Sequence, residues 1–293
     1  MNNLIGALWM IMAMAFFALV DTYIKLATVS VPRAQVVVVM GAVGLLAFAL
    51  AARARGLKPM PPEIFRGPSL LRAAGEAGAT TCFVFSLSEV DLSLFTTIVQ
   101  ANPLIVVLGA ALFLGEPVGW RRWAAILLGM VGVLIVLRPT GEGFNAFALL
   151  VFLGVLSQSI RDLATRRVAE GIHTLQLSCG SFLALIAAGF IIGIVQNTPP
   201  MRPEGMAWLY LFGAAGLFMP AIYAMVAAMR VGEIGFVAPF RYSRILFGLG
   251  LGVLIFGERL DAYTLTGATL IVGTGLYSFW RETRKRPTEG APG

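Results

Sequence analysis

Two arginines, Arg241 and Arg244, stand three residues apart in an otherwise apolar stretch of the chain. A guanidinium is a planar fork of donors that matches a carboxylate or a phosphate, and a three-residue spacing puts both on neighbouring parts of one helix face. The pair could anchor an anion, Arg244 above all; a structural ion pair is the alternative. Glu76, also set among apolar residues, is the candidate counter-charge. It could neutralise either arginine, hold a substrate ammonium, or titrate as a coupling proton site. Tyr242, Gln100 and Asn102 add polar groups, and Gln158, Ser157, Tyr223 and Trp9 are further lining candidates. Asp21 with Lys25 and Asp162 with Arg166 are acid-before-base pairs four residues apart, the pattern of ion pairs along one helix. They read as solvated helix ends or as gates. Catalytic groupings are missing. Neither a His-Glu-x-x-His nor a Gly-x-Ser-x-Gly pattern occurs, and the single histidine, His173, is expected to be structural, so neither an enzyme nor a metal or cofactor site is expected.

The elements that must carry these residues are membrane spans. Charged residues make up 13% of the 293 residues and hydrophobic ones 58%, with mean hydropathy +0.84. A water-soluble surface needs about twice that share of charge. Apolar runs broken by Pro, Gly or charge predict spans near 4 to 28, 34 to 52, 69 to 88, 93 to 114 and 120 to 138. Five more are expected near 144 to 167, 173 to 196, 206 to 229, 233 to 256 and 262 to 280. The net charge of +7 is read as loop charge, and no nucleic-acid partner is expected. Placing the N-terminus inside assigns fifteen Lys and Arg to the cytoplasmic side, Arg72 and Arg161 among them, against five outside. That asymmetry predicts cytoplasmic termini.

The chain also repeats itself. A shift of 142 residues lays Asp91 to Phe95 on Glu233 to Val237, Gln100 on Tyr242, Asn102 on Arg244, and Gly115-Glu116 on Gly257-Glu258. A shift of 141 lays Asp21 on Asp162, Lys25 on Arg166 and Gln35 on Gln176. Halves with five spans each must be inverted relative to one another, the plan of many secondary transporters. The expected fold is an all-α membrane protein of about ten transmembrane helices, two inverted five-helix repeats around a central cavity. Residues 1–141 form the first repeat, 142–281 the second, and 282–293 a cytoplasmic tail. Pro103 and Pro239 break the fourth and ninth spans near mid-depth, where freed carbonyls need protein or cavity partners. Gly115-Glu116 and Gly257-Glu258 read as helix ends. Gly129, Gly132, Gly267, Gly273 and Gly275 permit close packing, within the chain or across a dimer.

Through Leu104 to Gly119 with Phe113-Leu114-Gly115-Glu116, Gly129-Met130-Val131-Gly132, and the repeat counterpart Phe256-Gly257-Glu258, the chain resembles the EamA-type branch of the drug/metabolite transporter superfamily over its whole length. The resemblance implies a ten-helix carrier with a central cavity and leaves the solute open. Two arginines, one acid and several amides favour a small polar or zwitterionic metabolite. Export of an amino acid or derivative leads, and uptake of an adenosyl-type cofactor such as S-adenosylmethionine is the alternative, ahead of a channel. The expected setting is the lipid bilayer of a bacterial inner membrane, as a monomer or homodimer, with a proton as one possible coupling ion.

Overall fold

The computed structural model describes residues 2–115, 119–138, 145–168 and 171–284, the side chains of 122, 234, 235, 279 and 281–284 excepted. Glu116, the repeat boundary at 141/142 and most of the expected tail therefore lie outside the described residues. Every regular element among them is helical. The order is α1 (Asn3–Ala27), α2 (Arg33–Ala54), α3 (Gly67–Leu87), α4 (Leu92–Val99), α5 (Asn102–Phe113), α6 (Trp120–Leu137), α7 (Ala146–Thr165), α8 (Thr174–Val195), α9 (Met206–Val231), α10 (Ile234–Val237), α11 (Ser243–Phe256) and α12 (Ala262–Arg284). A 3-10 turn, Pro62–Phe65, precedes α3, and another, Ala238–Tyr242, joins α10 to α11. A helix is found at every expected span, with two interrupted: the fourth at Gln100-Ala101 and the ninth through the second 3-10 turn.

Among the described residues seven segments are long and apolar enough to cross a membrane: α1, α2, Leu92–Phe113, α7, α8, α9 and Ala238–Phe256. Apolar side chains cover much of their outer surface, as at Leu4, Leu46, Phe190, Ile194, Phe212 and Leu254. In lipid such a chain satisfies its backbone within helices and packs them through small residues rather than by expelling water.

Five helix pairs build the bundle: α1 with α9, α2 with α8, α3 with α7, α4 with α11, and α6 with α12. Each pair runs antiparallel. Trp9 meets Tyr223 while Tyr23 meets Tyr210, and Gly129 meets Thr274 while Gly132 meets Gly267. Exchanging the first five expected spans for the last five returns the same pairing. The long loops obey the same exchange. Gln35 at the start of α2 brackets the backbone of Met201, donating to its carbonyl at 2.9 Å and accepting from its amide at 3.0 Å. Gln176, its repeat partner at the start of α8, donates to the Lys58 carbonyl at 2.8 Å. Each glutamine thus ties down the loop that follows the corresponding helix of the other half. The glycine-rich seam is intramolecular where Gly132 and Gly267 meet between α6 and α12.

Gly115 and Gly257 both take left-handed φ values, 68° and 64°, at the ends of α5 and α11. Helix termination at these repeat-matched glycines follows from the absence of a Cβ. His173 is structural as expected: its Nδ1 accepts from the Leu175 amide at 3.1 Å and caps α8.

The α3–α7 seam depends on Gly75. A Cβ there would lie 2.8 Å from the Ser157 carbonyl oxygen and 2.9 Å from the Arg161 amide nitrogen, both backbone atoms that cannot swing aside. Gly75→Val is expected to destabilise the fold by about 1–3 kcal/mol through overpacking. A lowered melting temperature with reduced folded yield checks this, and an unchanged melting temperature would contradict it.

Candidate functional site

The breaks in the fourth and ninth spans meet. Gln100, at the α4–α5 break, donates its side-chain amide to the Arg241 carbonyl at 2.9 Å. One polar group of the first half therefore reaches a backbone acceptor in the ninth span's irregular turn. This contact fixes where the side chains of Arg241 and Arg244 emerge.

Two acids at repeat-matched positions bracket the breaks. Arg244 is paired with Asp21 of α1, its Nη2 2.6 Å and its Nε 3.2 Å from one carboxylate oxygen, and it also lies over the Phe17 ring at 5.4 Å. Asn102, which the repeat lays on Arg244, donates to Asp162 of α7 at 3.1 Å. Asp162 is the residue that the repeat lays on Asp21, so the two contacts are counterparts. The second is extended: Ser159 donates to the Asn102 side-chain carbonyl at 2.8 Å, and Arg161 grips Asp162 and Glu76 at 2.8 Å each. Arg72 completes it from α3, donating to the Leu177 carbonyl at 3.0 Å and Ser181 Oγ at 2.5 Å, while its Nε is buried without a partner.

These pairings correct several expectations. Asp21 does not pair with Lys25, nor Asp162 with Arg166: Arg244 takes Asp21 while Lys25 turns to Glu258, and Arg161 and Asn102 take Asp162. Glu76 neutralises Arg161 rather than Arg241 or Arg244. Arg72 and Arg161, read as cytoplasmic charge, sit inside the network. Tyr242 is buried against α12, its ring filling the space that a Cβ on Gly275 would need. Ser157 packs into the α3–α7 seam beside Gly75 and Gly78. Tyr223 is 68% exposed on the face of α9 that also carries Phe212 and Val226, meeting Trp9 edge to face. Trp9 belongs with Phe17, Met225, Phe240 and Phe247 to an apolar cluster. Gln158 lies one turn before Asp162, half-buried and without a hydrogen bond among the described residues.

Lys25 has a different partner from the one its spacing suggests. Its ammonium donates to the Val90 carbonyl at 2.7 Å and to Glu258 at 3.0 Å. Glu258 also accepts from the amides of Leu92 and Ser93 at 2.6 and 2.9 Å and from Ser93 Oγ at 2.8 Å. The carboxylate so caps α4 from the far end of α11, where Asp91's own side chain does not. Burial alone would raise the Glu258 pKa, but the bonds from Ser93, Leu92 and Lys25 hold it below the usual carboxylate range. Asp91 beside it is pushed up by burial and by the Glu258 charge. Reading Glu258 as a plain helix end missed this latch.

Two surface grooves lie elsewhere. One, of about 480 Å³, follows the α2–α8 seam by Gln35 and Pro199; the other, of about 460 Å³, follows the α6–α12 seam by Trp120 and Tyr277. Neither is lined by a residue of the arginine network.

The Glu76–Arg161 pair has side chains only 13% and 23% exposed. Glu76→Gln leaves Arg161 short of one counter-charge, and breaking such a pair typically costs about 3–5 kcal/mol. A large drop in melting temperature is expected; a variant as stable as the parent would show that the pair does not hold α3 to α7.

Comparison with known proteins places the chain among transporters. The chain is 26% identical over 97% of its length, and 96% of the relative's, to the riboflavin transporter of Vibrio cholerae. It is 26% identical to the S-adenosylmethionine uptake transporter of Rickettsia bellii over 70% of this chain and 69% of that one. With the pseudopaline exporter of Pseudomonas aeruginosa it shares 25% identity over 91% of this chain and 93% of the relative. A solved crystal structure matches at TM-score 0.62 and 21% identity, covering 97% of this chain and 98% of that one, a likeness of fold. The model of the EamA-like transporter family matches twice, over residues 4–138 and 145–279. A duplicated, all-helical, multi-pass membrane chain with these relatives is a small-molecule transporter, and it belongs to the EamA-like transporter family.

Proposed function

We propose that the chain is a secondary carrier that moves a small polar or zwitterionic metabolite by alternating access, an amino acid or derivative in the first instance, with the arginine network at its solute site. The observation that carries this is the pairing of Asp21–Arg244 with Asn102–Asp162 at repeat-matched positions. An inverted-repeat carrier needs polar groups from both halves near mid-depth, facing each other across the repeat axis. In this reading ten spans form two inverted repeats, 1–141 and 142–281, around a central cavity. Arg244, Arg241, Gln100, Asn102, Gln158 and Glu76 border the solute, and Tyr242, Ser157 and Tyr223 act through packing.

Both termini face the cytoplasm of a bacterial inner membrane in this proposal. Removing Arg72 and Arg161 from the loop count leaves thirteen basic residues against five, so the bias that supports this orientation survives. Relatives named for S-adenosylmethionine uptake and riboflavin transport favour a second reading, uptake of a solute with a heteroaromatic ring. Counterflow in proteoliposomes tests the transport reading. Labelled solute should exchange against unlabelled without added nucleotide, and protein inert toward amino acids, S-adenosylmethionine and riboflavin alike would overturn it.

The Lys25–Glu258 contact joins α1, α4 and the end of α11 at the end predicted to face outward, so opening there requires Glu258 to release its donors. A cysteine placed at Val90, in a chain whose Cys82 and Cys179 are replaced by Ala, is expected to label faster with an impermeant maleimide once Glu258→Gln is added. Equal labelling would contradict the latch. The pH dependence follows from the lowered carboxyl pKa. The latch contributes its full stability above the ordinary glutamate range of about 4.3 and loses it as pH falls through the lower folded value. Lys25, Asp91, Ser93 and the α4 amides are the groups facing Glu258. The melting-temperature gap between wild type and Glu258→Gln should shrink on acidification, whereas a constant gap would assign the stability elsewhere.

A further inference from the structure

Four guanidinium groups meet three carboxylates in the central network: Arg72, Arg161, Arg241 and Arg244 against Glu76, Asp162 and Asp21. Arg244 is matched by Asp21, and Arg161 by Glu76 and Asp162, with Arg72 in electrostatic reach of the same two acids. Arg241 is left over. Among the described residues its guanidinium makes no ion pair, and its nearest polar contact is the Met225 sulfur at 3.9 Å. It lies within electrostatic reach of Asp162, Arg161 and Arg244. The repeat lays it on Val99, so this charge has no counterpart in the first half.

An arginine cannot shed its proton to avoid this situation. A half-buried cation of this kind needs water or a counter-charge, and the one acid in its reach, Asp162, is already bonded to Arg161 and Asn102, so an arriving anion would stabilise it. The turn that presents it is held by Gln100 on the Arg241 carbonyl, so the backbone from which the side chain departs is positioned in advance. Met225, which it touches, belongs with Trp9, Phe17, Phe240 and Phe247 to an apolar cluster in the α1–α9 region. An anion seated on Arg241 therefore has aromatic and thioether surface beside it for the rest of its body.

We propose that Arg241 is the anchor for one carboxylate or phosphate group of the transported solute, and that this solute carries an apolar or aromatic body alongside that group. The proposal rests on the transport reading above for its word solute, but the anion site itself is a statement about binding. Arg244, already held by Asp21, serves as a neighbour rather than the anchor.

Melting temperatures of the full chain in lipid nanodiscs test it with two matched probe pairs, riboflavin 5′-phosphate against riboflavin and 3-phenylpropionate against its amide. In at least one pair the anionic member should stabilise wild-type protein at about tenfold lower concentration than the neutral member. The phosphate and carboxylate pairs report which group the anchor takes. Arg241→Gln should remove that preference, and Arg241→Lys should keep part of it. Without probe, Arg241→Gln should melt at or above the wild-type temperature, because it leaves no carboxylate unpaired. Equal response to both members of both pairs, no response, a preference that survives Arg241→Gln, or a probe-free melting temperature as low as that of Glu76→Gln would each overturn the anchor. Charge preference in binding without solute counterflow would overturn the transport reading and leave the anchor standing. Counterflow without charge preference would do the reverse.

Discussion

A guanidinium inside a membrane protein needs a counter-charge or water, and that requirement organises the middle of this molecule. Each ionised group taken out of water loses several kcal/mol of solvation, which its partners must offset through short, well-directed bonds. Asp21 and Arg244 meet that condition across α1 and α11, and Glu76, Arg161 and Asp162 meet it across α3 and α7. These pairs also select which helices can be neighbours. Helix α3, which is not among the long apolar segments, is held in the bundle by the arginine that its glutamate binds and by the bonds Arg72 makes to α8.

Duplication accounts for the rest of the architecture. Five antiparallel helix pairs survive exchange of the halves, and so do details as fine as a glutamine clasping the opposite loop. The departures from that exchange are where the polar and charged residues of the two breaks differ. Asn102 stands where its counterpart is Arg244, Gln100 where its counterpart is Tyr242, and Val99 where its counterpart is Arg241. In the proposed carrier, a site on a pseudo-twofold axis would have to discriminate one end of an asymmetric solute from the other, and unequal residues at equal positions would serve that.

Much of this was legible in the sequence. Apolar run length located the helices to within a few residues, since a bilayer fixes how long a span must be. The offsets of 141 and 142 named the residues that turn out to be paired, but the pairing itself was misread. Spacing along one helix pointed Asp21 to Lys25 and Asp162 to Arg166, whereas the fold brings Arg244 to Asp21 and Asn102 to Asp162 from distant parts of the chain, and Asp162 also takes its own neighbour Arg161. Taking the two offsets together, with acid on acid and amide on arginine, was the signal that could have found the contacts. Glu258 offered no such signal: two of its partners are backbone amides, which no sequence pattern marks, and the other two, Ser93 and Lys25, lie 165 and 233 residues away in the chain.

In the proposed carrier the Asp21–Arg244 pair belongs to the solute path and is more than a brace between α1 and α11. Solute counterflow and melting temperature measured together on Asp21→Asn, Arg244→Gln and the double variant test it most directly. Each single change strands a buried charge and should lower stability and transport together. The double change strands none; it should recover most of the melting temperature while counterflow stays lost. Recovery of counterflow along with stability in the double variant would contradict the claim and leave the pair a structural one.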